Sequence, residues 1–154
     1  MGEKLIDIKL IKQKIQHYCA IRERCQSQVI KKLKSYGASL SQIDELISKL
    51  KKENFIDEER FARTFCSGKF TINKWGKQKI AYELSKLHVS NTIIQSGMKE
   101  INQVDYLDVI RKLSQKKYDL LRDHNQYLRK KKVVSYLTSK GYEVDLAWEC
   151  INHL

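Results

Sequence analysis

The residues best suited to chemistry in this chain are cations that alternate with aromatic rings. Two stretches carry them: residues 69–90 contain five lysines and one glutamate, and residues 103–142 contain ten Lys/Arg and four Asp. Lysine and arginine bind phosphate groups, and aromatic rings stack on nucleobases. The formal net charge is +12 for 154 residues. This composition favours a polyanionic partner, such as single-stranded nucleic acid or a nucleoprotein.

One helix organises these cations. Residues 75–87 place Ile80, Leu84 and Leu87 on one face, and the helix is predicted to begin at Gly76. Lysines in a first helical turn oppose the helix dipole, whereas an anion bound there is favoured. We therefore expect this helix start to be open to an anionic partner, and charge reversal of its lysines to leave the fold intact. The candidate partner and nucleic-acid-binding residues are Lys31, Lys32, Lys74, Trp75, Lys77, Lys79, Arg129, Lys130, Lys131 and Lys132.

Spacings typical of an enzyme site do not occur. The sequence has no glycine-rich phosphate loop, no H-E-x-x-H and no G-x-S-x-G, and its four histidines are scattered. His17, Cys19 and Cys25 do not have zinc-site spacing, and the four cysteines are expected to be reduced thiols. The acidic run that begins at Asp57 is better explained as a helix cap than as a metal site. We expect no catalysis, no metal and no cofactor.

The composition favours an all-helical protein. There is no proline, only six glycines occur, and 42% of the residues are apolar, which is enough to bury a core. No apolar run approaches the ~20 residues of a membrane span, and the first residues do not resemble a signal peptide. We therefore expect a monomer in the cytoplasm, without a membrane partner.

Apolar residues recur at helical spacing in nine segments. Polar residues suited to N-caps precede several of them, and Gly37 and Gly141 are placed to end two of them. His88 occupies the corresponding place after the helix of residues 75–87. The segments are predicted to begin near residues 8, 25, 39, 57, 75, 90, 104, 125 and 144.

The helical pattern repeats. With shifts of 51 and then 53 residues and no gap, the apolar positions of the second and third helices of each unit coincide. Five coincident positions in three copies favour a true repeat over chance agreement between amphipathic helices. By this alignment Arg129–Lys132 lie, like Lys77, at a helix start. The sets are Val29, Ile80 and Val133; Leu33, Leu84 and Leu137; Ile43, Ile94 and Ala147; Ile47, Met98 and Ile151; and Leu50, Ile101 and Leu154.

Units of about 50 residues are too small to be stable alone, so neighbouring units are expected to stack. We predict an all-α fold of three tandem three-helix units, residues 1–54, 55–102 and 103–154, stacked into an elongated, curved body.

The same residues resemble the RecX family, the bacterial regulators of the recombinase RecA. The resemblance is carried by Gly76-x-x-x-Ile80-x-x-Glu83-Leu84-x-x-x-x-Val89 after the run Asp57–Ala62, and it covers residues 8–154. Weaker matches lie in the outer units. They are Arg24-Cys25, Val29, Lys32-Leu33 and Gly37 in the first unit, and Lys130–Leu137 and Gly141-Tyr142 in the third. The chain departs from the family where Cys25 replaces Ser, Trp75 replaces Lys and His88 replaces Gly.

The resemblance implies a non-catalytic protein that binds the RecA filament on single-stranded DNA along its groove. Such a protein would restrain RecA's ATP hydrolysis, strand exchange and co-protease activity in recombination and SOS repair. Direct DNA binding is a secondary expectation. Two alternatives stay open: a sequence-tolerant DNA- or RNA-binding protein that acts without RecA, and a helical-repeat scaffold for another acidic protein.

Overall fold

The computed structural model describes residues 7–153, which form nine α-helices and no strand. Consecutive helices pack in threes, so the predicted all-α fold of three-helix units is confirmed. The first unit contains α1–α3, the second α4–α6 and the third α7–α9. The helices are α1 (Ile8–Ile21), α2 (Gln26–Ser35), α3 (Leu40–Lys52), α4 (Glu58–Thr71), α5 (Lys77–Lys86), α6 (Asn91–Met98), α7 (Gln103–Leu120), α8 (Gln126–Ser139) and α9 (Val144–Ile151).

Short polar residues begin most helices, as their sequence positions predict. Each cap accepts a hydrogen bond from a backbone N–H of the first turn, which would otherwise lack a partner. The second helix of each unit ends in a left-handed residue: Gly37 at φ 86°, His88 at φ 62° and Gly141 at φ 99°. His88 therefore adopts the conformation that glycine takes in the sister units. The caps with such bonds are Asp7, Ser39, Asp57, Ser90, Asn102 and Asn125.

The repeated apolar positions form the core. Every member of the five predicted sets that lies within residues 7–153 is buried; Leu154 lies outside the described residues. The first unit has a core of its own, on which Phe55 and Ile56 also pack. The second and third units share one continuous core. The division of the chain at residues 54/55 and 102/103 stays a prediction.

The units meet through the ends of their second helices. At the junction of the second and third units, the N–H groups of Gly76 and Gln78 donate to the carbonyl oxygens of Lys140 (2.8 Å) and Gly141 (3.0 Å). At the junction of the first and second units, Ser27 Oγ donates to the carbonyl oxygen of Leu87 at 2.7 Å. The start of α2 therefore lies against the end of α5, and the start of α5 lies against the end of α8.

This serial contact gives an extended molecule. The chain exposes 10066 Å², whereas a compact protein of its 18.2 kDa would expose roughly 8,100 Å². An excess of this kind is expected when each unit contacts only its neighbour in sequence. None of the helices within residues 7–153 is long and apolar enough to cross a membrane.

Candidate nucleic-acid interface

The predicted binding residues of the second unit surround Trp75, which lies between α4 and α5. The indole is half-buried and has two lysine ammonium groups in cation–π contact: Lys69 Nζ lies 4.9 Å and Lys79 Nζ 4.5 Å from the ring centroid. Lys74 is exposed next to it. Cations held against an indole by cation–π contact leave a basic, aromatic surface that fits phosphate groups and nucleobases.

Lys77 lies close to Trp75 in sequence but is engaged in the junction of the second and third units. Its Nζ lies 4.7 Å from the Tyr106 ring centroid and donates to Gln103 Oε1 at 3.2 Å. Its backbone N–H donates to Tyr106 Oη at 3.0 Å. Charge reversal at this residue would remove the hydrogen bond from Nζ, so we predict a loss of stability in place of the intact fold that the sequence leads us to expect.

The start of α5 is not open to an anion, which corrects the expectation from the sequence. Two of its first amides donate to the carbonyl oxygens of Lys140 and Gly141, and a third donates to Tyr106 Oη. The end of α8, which carries the negative pole of a helix dipole, covers the positive pole of α5. Lysines at this place are favoured by the end of α8, so their clustering has a reason in folding.

A buried hydroxyl pair fastens the same junction. Tyr106 Oη donates to Glu143 Oε1 at 2.6 Å, and Tyr142 Oη donates to the carbonyl oxygen of Lys74 at 2.6 Å. The two rings lie 5.3 Å apart between their centroids. Burial raises the pKa of both hydroxyls, so both stay protonated and keep donating. The second and third units are thus joined by hydrogen bonds as well as by their shared core.

The basic run of the third unit lies inside α8 rather than at its start. The helix begins at Gln126, in agreement with the start predicted near residue 125. This is one turn earlier than the repeat alignment implies, so the helix-start position that the alignment gives this run is wrong. Arg129 Nε and Nη2 donate to the carbonyl oxygen of Tyr118 at 2.9 and 2.6 Å, and the guanidinium stacks 3.7 Å from that ring centroid. Arg129 therefore ties α8 to the end of α7.

The other cations of this run differ in their surroundings. Lys132 Nζ forms an ion pair with Asp123 at 2.9 Å. Lys131 is exposed and Lys130 is half-exposed, and neither forms an ion pair within residues 7–153. Of the four predicted residues, these two are the ones best placed to contact a partner.

An arginine of the first unit makes the same kind of contact as Arg129, and the sequence analysis did not predict it. Arg24 Nε donates to the carbonyl oxygen of Tyr18 at 3.1 Å, with its guanidinium 3.8 Å from the ring centroid. It is the counterpart of Arg129 on Tyr118. The sequence does contain a pattern that could have predicted this contact. In both outer units, a tyrosine late in the first helix is followed by an arginine near the second helix.

The last two predicted residues line a groove at the junction of the first and second units. Lys31 and Lys32 extend from α2, and Lys86 and His88 lie on the opposite wall at the end of α5. The groove has a volume of about 720 Å³. The proximity of these two pairs could not be predicted from the sequence, because they are more than 50 residues apart and no sequence pattern links them.

Glu58 is a second residue of this junction whose role the sequence analysis missed. Its carboxyl group, expected only to cap α4, is half-buried, and its Oε2 has no hydrogen-bond partner within residues 7–153. Burial raises the pKa of Glu58, and the facing backbone N–H of Gln26 opposes that rise. Nearby, Arg60 Nε donates to Glu23 at 2.7 Å and holds the two units together.

The cysteines within residues 7–153 are buried side chains rather than exposed thiols. All four are free and buried. Burial raises the pKa of Cys66 to about 11 and also raises the pKa of Cys19 and Cys150. A thiol with a raised pKa is a poor nucleophile and a poor metal ligand at neutral pH.

Comparison with known proteins identifies the repeat. Residues 57–98 match the family model described as "RecX, second three-helix domain", and residues 104–151 match "RecX, third three-helix domain". The two matches cover the second and third units, including the junction built by Gly76 and Tyr106.

Two relatives in this comparison are both named "Regulatory protein RecX". The protein of Clostridium beijerinckii is 31% identical over 130 residues, which is 83% of this chain and 60% of that protein. The protein of Clostridium perfringens is 26% identical over 166 residues, covering 99% of this chain and 77% of that protein. The chain spans 53% of the protein of Streptococcus agalactiae, so it is about half to three quarters as long as these relatives.

A solved structure agrees with the fold. The crystal structure of RecX from Lactobacillus salivarius superimposes with a TM-score of 0.86, at 20% sequence identity and with 96% of each chain covered. Fold, domain matches and relatives agree, and the chain belongs to the RecX family of regulatory proteins.

Proposed function

We propose that this protein regulates the RecA recombinase by binding the RecA filament on single-stranded DNA, and that it has no catalytic activity of its own. The observation that carries the proposal is its membership of the RecX family, whose matched domains cover the second and third units. It would act in the cytoplasm as a monomer and restrain ATP hydrolysis, strand exchange and co-protease activity.

The surface supports a nucleoprotein partner. Exposed or half-exposed cations occur in all three units, beside aromatic rings at Trp75 and Tyr18. An extended row of units matches a partner that is itself extended and carries a repeated negative charge. The proposed contact residues are Lys31, Lys32, Lys74, Trp75, Lys79, Lys130 and Lys131, whereas Lys77, Arg129 and Lys132 mainly hold the fold together.

The test is a titration of RecA's ATPase activity on single-stranded DNA. The protein should lower the rate at concentrations well below that of the DNA, because a filament regulator acts on few sites per filament. A protein that merely coats DNA, the rival proposal, would need stoichiometric amounts. Inhibition should also weaken as salt rises, since exposed charges are screened over about 10 Å at 0.1 M.

A pair of charge-reversal variants localises the contact. Lys130→Glu with Lys131→Glu should weaken inhibition, because both side chains lack ion-pair partners within residues 7–153. Lys34→Glu with Lys52→Glu is the charge-matched control, from exposed positions of the first unit. Equal inhibition by both variants and the parent would remove α8 from the proposed surface. No effect of the parent protein on RecA would refute the proposed function.

A further inference from the structure

The groove between the first and second units concentrates positive charge from two separate units. The charge comes from three lysines: Lys31 and Lys32 on one wall, and Lys86, beside His88, on the other. The remaining lining residues are neutral: Tyr18, Ser27, Gln28, Ser35 and Leu87. A concave site with convergent cations and no lining carboxylate is suited to an anion with several charged groups.

The lysines of the first wall are held in place by aromatic rings. Lys32 Nζ lies 5.4 Å from the Tyr18 ring centroid and 5.7 Å from that of Tyr36. Lys14 Nζ approaches the same Tyr36 ring at 5.6 Å. Lys31 is exposed. These contacts fix one ammonium group at the wall and leave another to meet a ligand.

The opposite wall is partly neutralised by one acid. Lys86 Nζ lies 3.5 Å from Glu83 Oε2 on the preceding turn of α5, and both side chains are partly exposed. Exposed pairs of this kind contribute little because solvent screens them, so a phosphate group can compete for the lysine. His88 is fixed beside it in a left-handed conformation at φ 62°.

Neutral donors complete the site. Gln28 Oε1 accepts a hydrogen bond from the N–H of Cys25 at 3.1 Å, which leaves the amide N–H groups of Gln28 as donors. Gln28 and the lysines line the same groove. Lysine ammonium groups together with side-chain amides are typical donors to the phosphate oxygens of nucleic acids.

We infer that this groove binds the phosphate backbone of a single-stranded nucleic acid. A duplex is a stiff, convex rod, whereas a single strand bends into a concave site of about 720 Å³. The inference rests on the proposed function only in the choice of single-stranded DNA, which a RecA filament contains. It locates the direct contact of this protein with DNA in a groove between two units rather than on one helix.

The experiment measures DNA binding without RecA. A labelled oligothymidylate longer than roughly 16 nucleotides is titrated by fluorescence anisotropy at several salt concentrations. The groove variant is Lys31→Gln with Lys86→Gln, one residue from each wall. The control is Lys34→Gln with Lys99→Gln, which removes the same charge from exposed positions of the same two units outside the groove. Thermal unfolding of each variant checks that the fold is kept.

The groove variant should bind the single strand at least tenfold more weakly. Its slope of log affinity against log salt should be shallower by about 1.4, since each phosphate contact to a single strand contributes about 0.7. The control should stay within about threefold of the parent, with a slope that changes little. Equal losses in both variants would overturn the inference, because bulk charge would then explain them.

Two further arms identify the ligand. Duplex DNA of the same length should bind more weakly and respond less to the groove variant; an equal or larger response overturns the assignment to a single strand. Inorganic tripolyphosphate should not displace the strand at matched phosphate concentration; displacement points to a free-phosphate site and also overturns the assignment.

RecA ATPase inhibition is measured in parallel to separate the two proposals. If the parent inhibits RecA but the groove variant binds DNA normally, the groove inference fails and the proposed function stands. If the groove variant loses DNA binding but the parent does not affect RecA, the reverse holds.

Discussion

Replacing Gly76 by alanine should break the junction between the second and third units. A Cβ atom at residue 76 would overlap the carbonyl group of Gly141 and the backbone nitrogen of Tyr142. Both are backbone groups, so no side-chain rotation relieves the overlap. The start of α5 and the end of α8 must therefore move apart.

The size of the effect follows from what that movement breaks. Five hydrogen bonds among residues 7–153 cross the junction at this place. They run from Gly76 N–H to Lys140, from Gln78 N–H to Gly141, from Lys77 N–H to Tyr106 Oη, from Lys77 Nζ to Gln103 and from Tyr142 Oη to Lys74. A typical hydrogen bond contributes about 1 kcal/mol net. With part of this set lost, we expect the free energy of unfolding to fall by roughly 2–4 kcal/mol.

Urea unfolding followed by circular dichroism measures this loss, and the melting temperature should fall by roughly 4–16 °C at 2–4 °C per kcal/mol. Gly68→Ala is the control: nothing lies within 4 Å of a Cβ atom there, in the interior of α4. That control should be neutral or more stable by up to about 1 kcal/mol. If Gly76→Ala unfolds within half a kcal/mol of the parent, roughly the size of surface effects, the junction described here is wrong.

Three other substitutions test separate features. Leu84→Ala removes a fully buried side chain from the repeated stripe and should cost about 2–5 kcal/mol in urea unfolding; a negligible loss would mean an exposed stripe. Burial raises the pKa of Glu58, so the folded protein binds a proton at this residue more tightly than the unfolded chain does. The free energy of unfolding therefore falls as pH rises through that pKa. Glu58→Gln should abolish this fall and stabilise the protein near neutral pH, measured by urea titrations from about pH 4 to about pH 8. Lys77→Glu should lower the free energy of unfolding by about 1 kcal/mol, because the hydrogen bond from Nζ to Gln103 is lost, and an unchanged melting curve would contradict its role at the junction.

The helices were predictable because their signals are local. Asp57 and Asn125 accept bonds from the first turn of α4 and α8, and Gly141 ends α8 with a positive φ. Each of these roles depends on residues within one turn of the chain. The buried stripe containing Leu84 follows from the helical period alone, so the unit fold was also within reach of the sequence.

The junctions were not predictable for the opposite reason. Gly76 meets Gly141 through backbone atoms 65 residues apart, and backbone contact leaves no side-chain pattern to read. The same applies to the groove, where Lys31 faces Lys86 only because α2 begins at the end of α5. The repeat alignment pairs Arg129 with Gly76. Because α8 begins one turn earlier than α5 in that alignment, Arg129 lies inside the helix and bonds to Tyr118 instead of receiving a neighbouring unit.

That additional turn also changes which backbone donors the third unit offers. In α8 the amide at the position of Gly76 is that of Arg129, and it already donates to the carbonyl oxygen of Asn125 at 3.0 Å. The amide at this position of the third unit therefore cannot receive a neighbouring carbonyl group in the way that the Gly76 amide of the second unit receives Lys140.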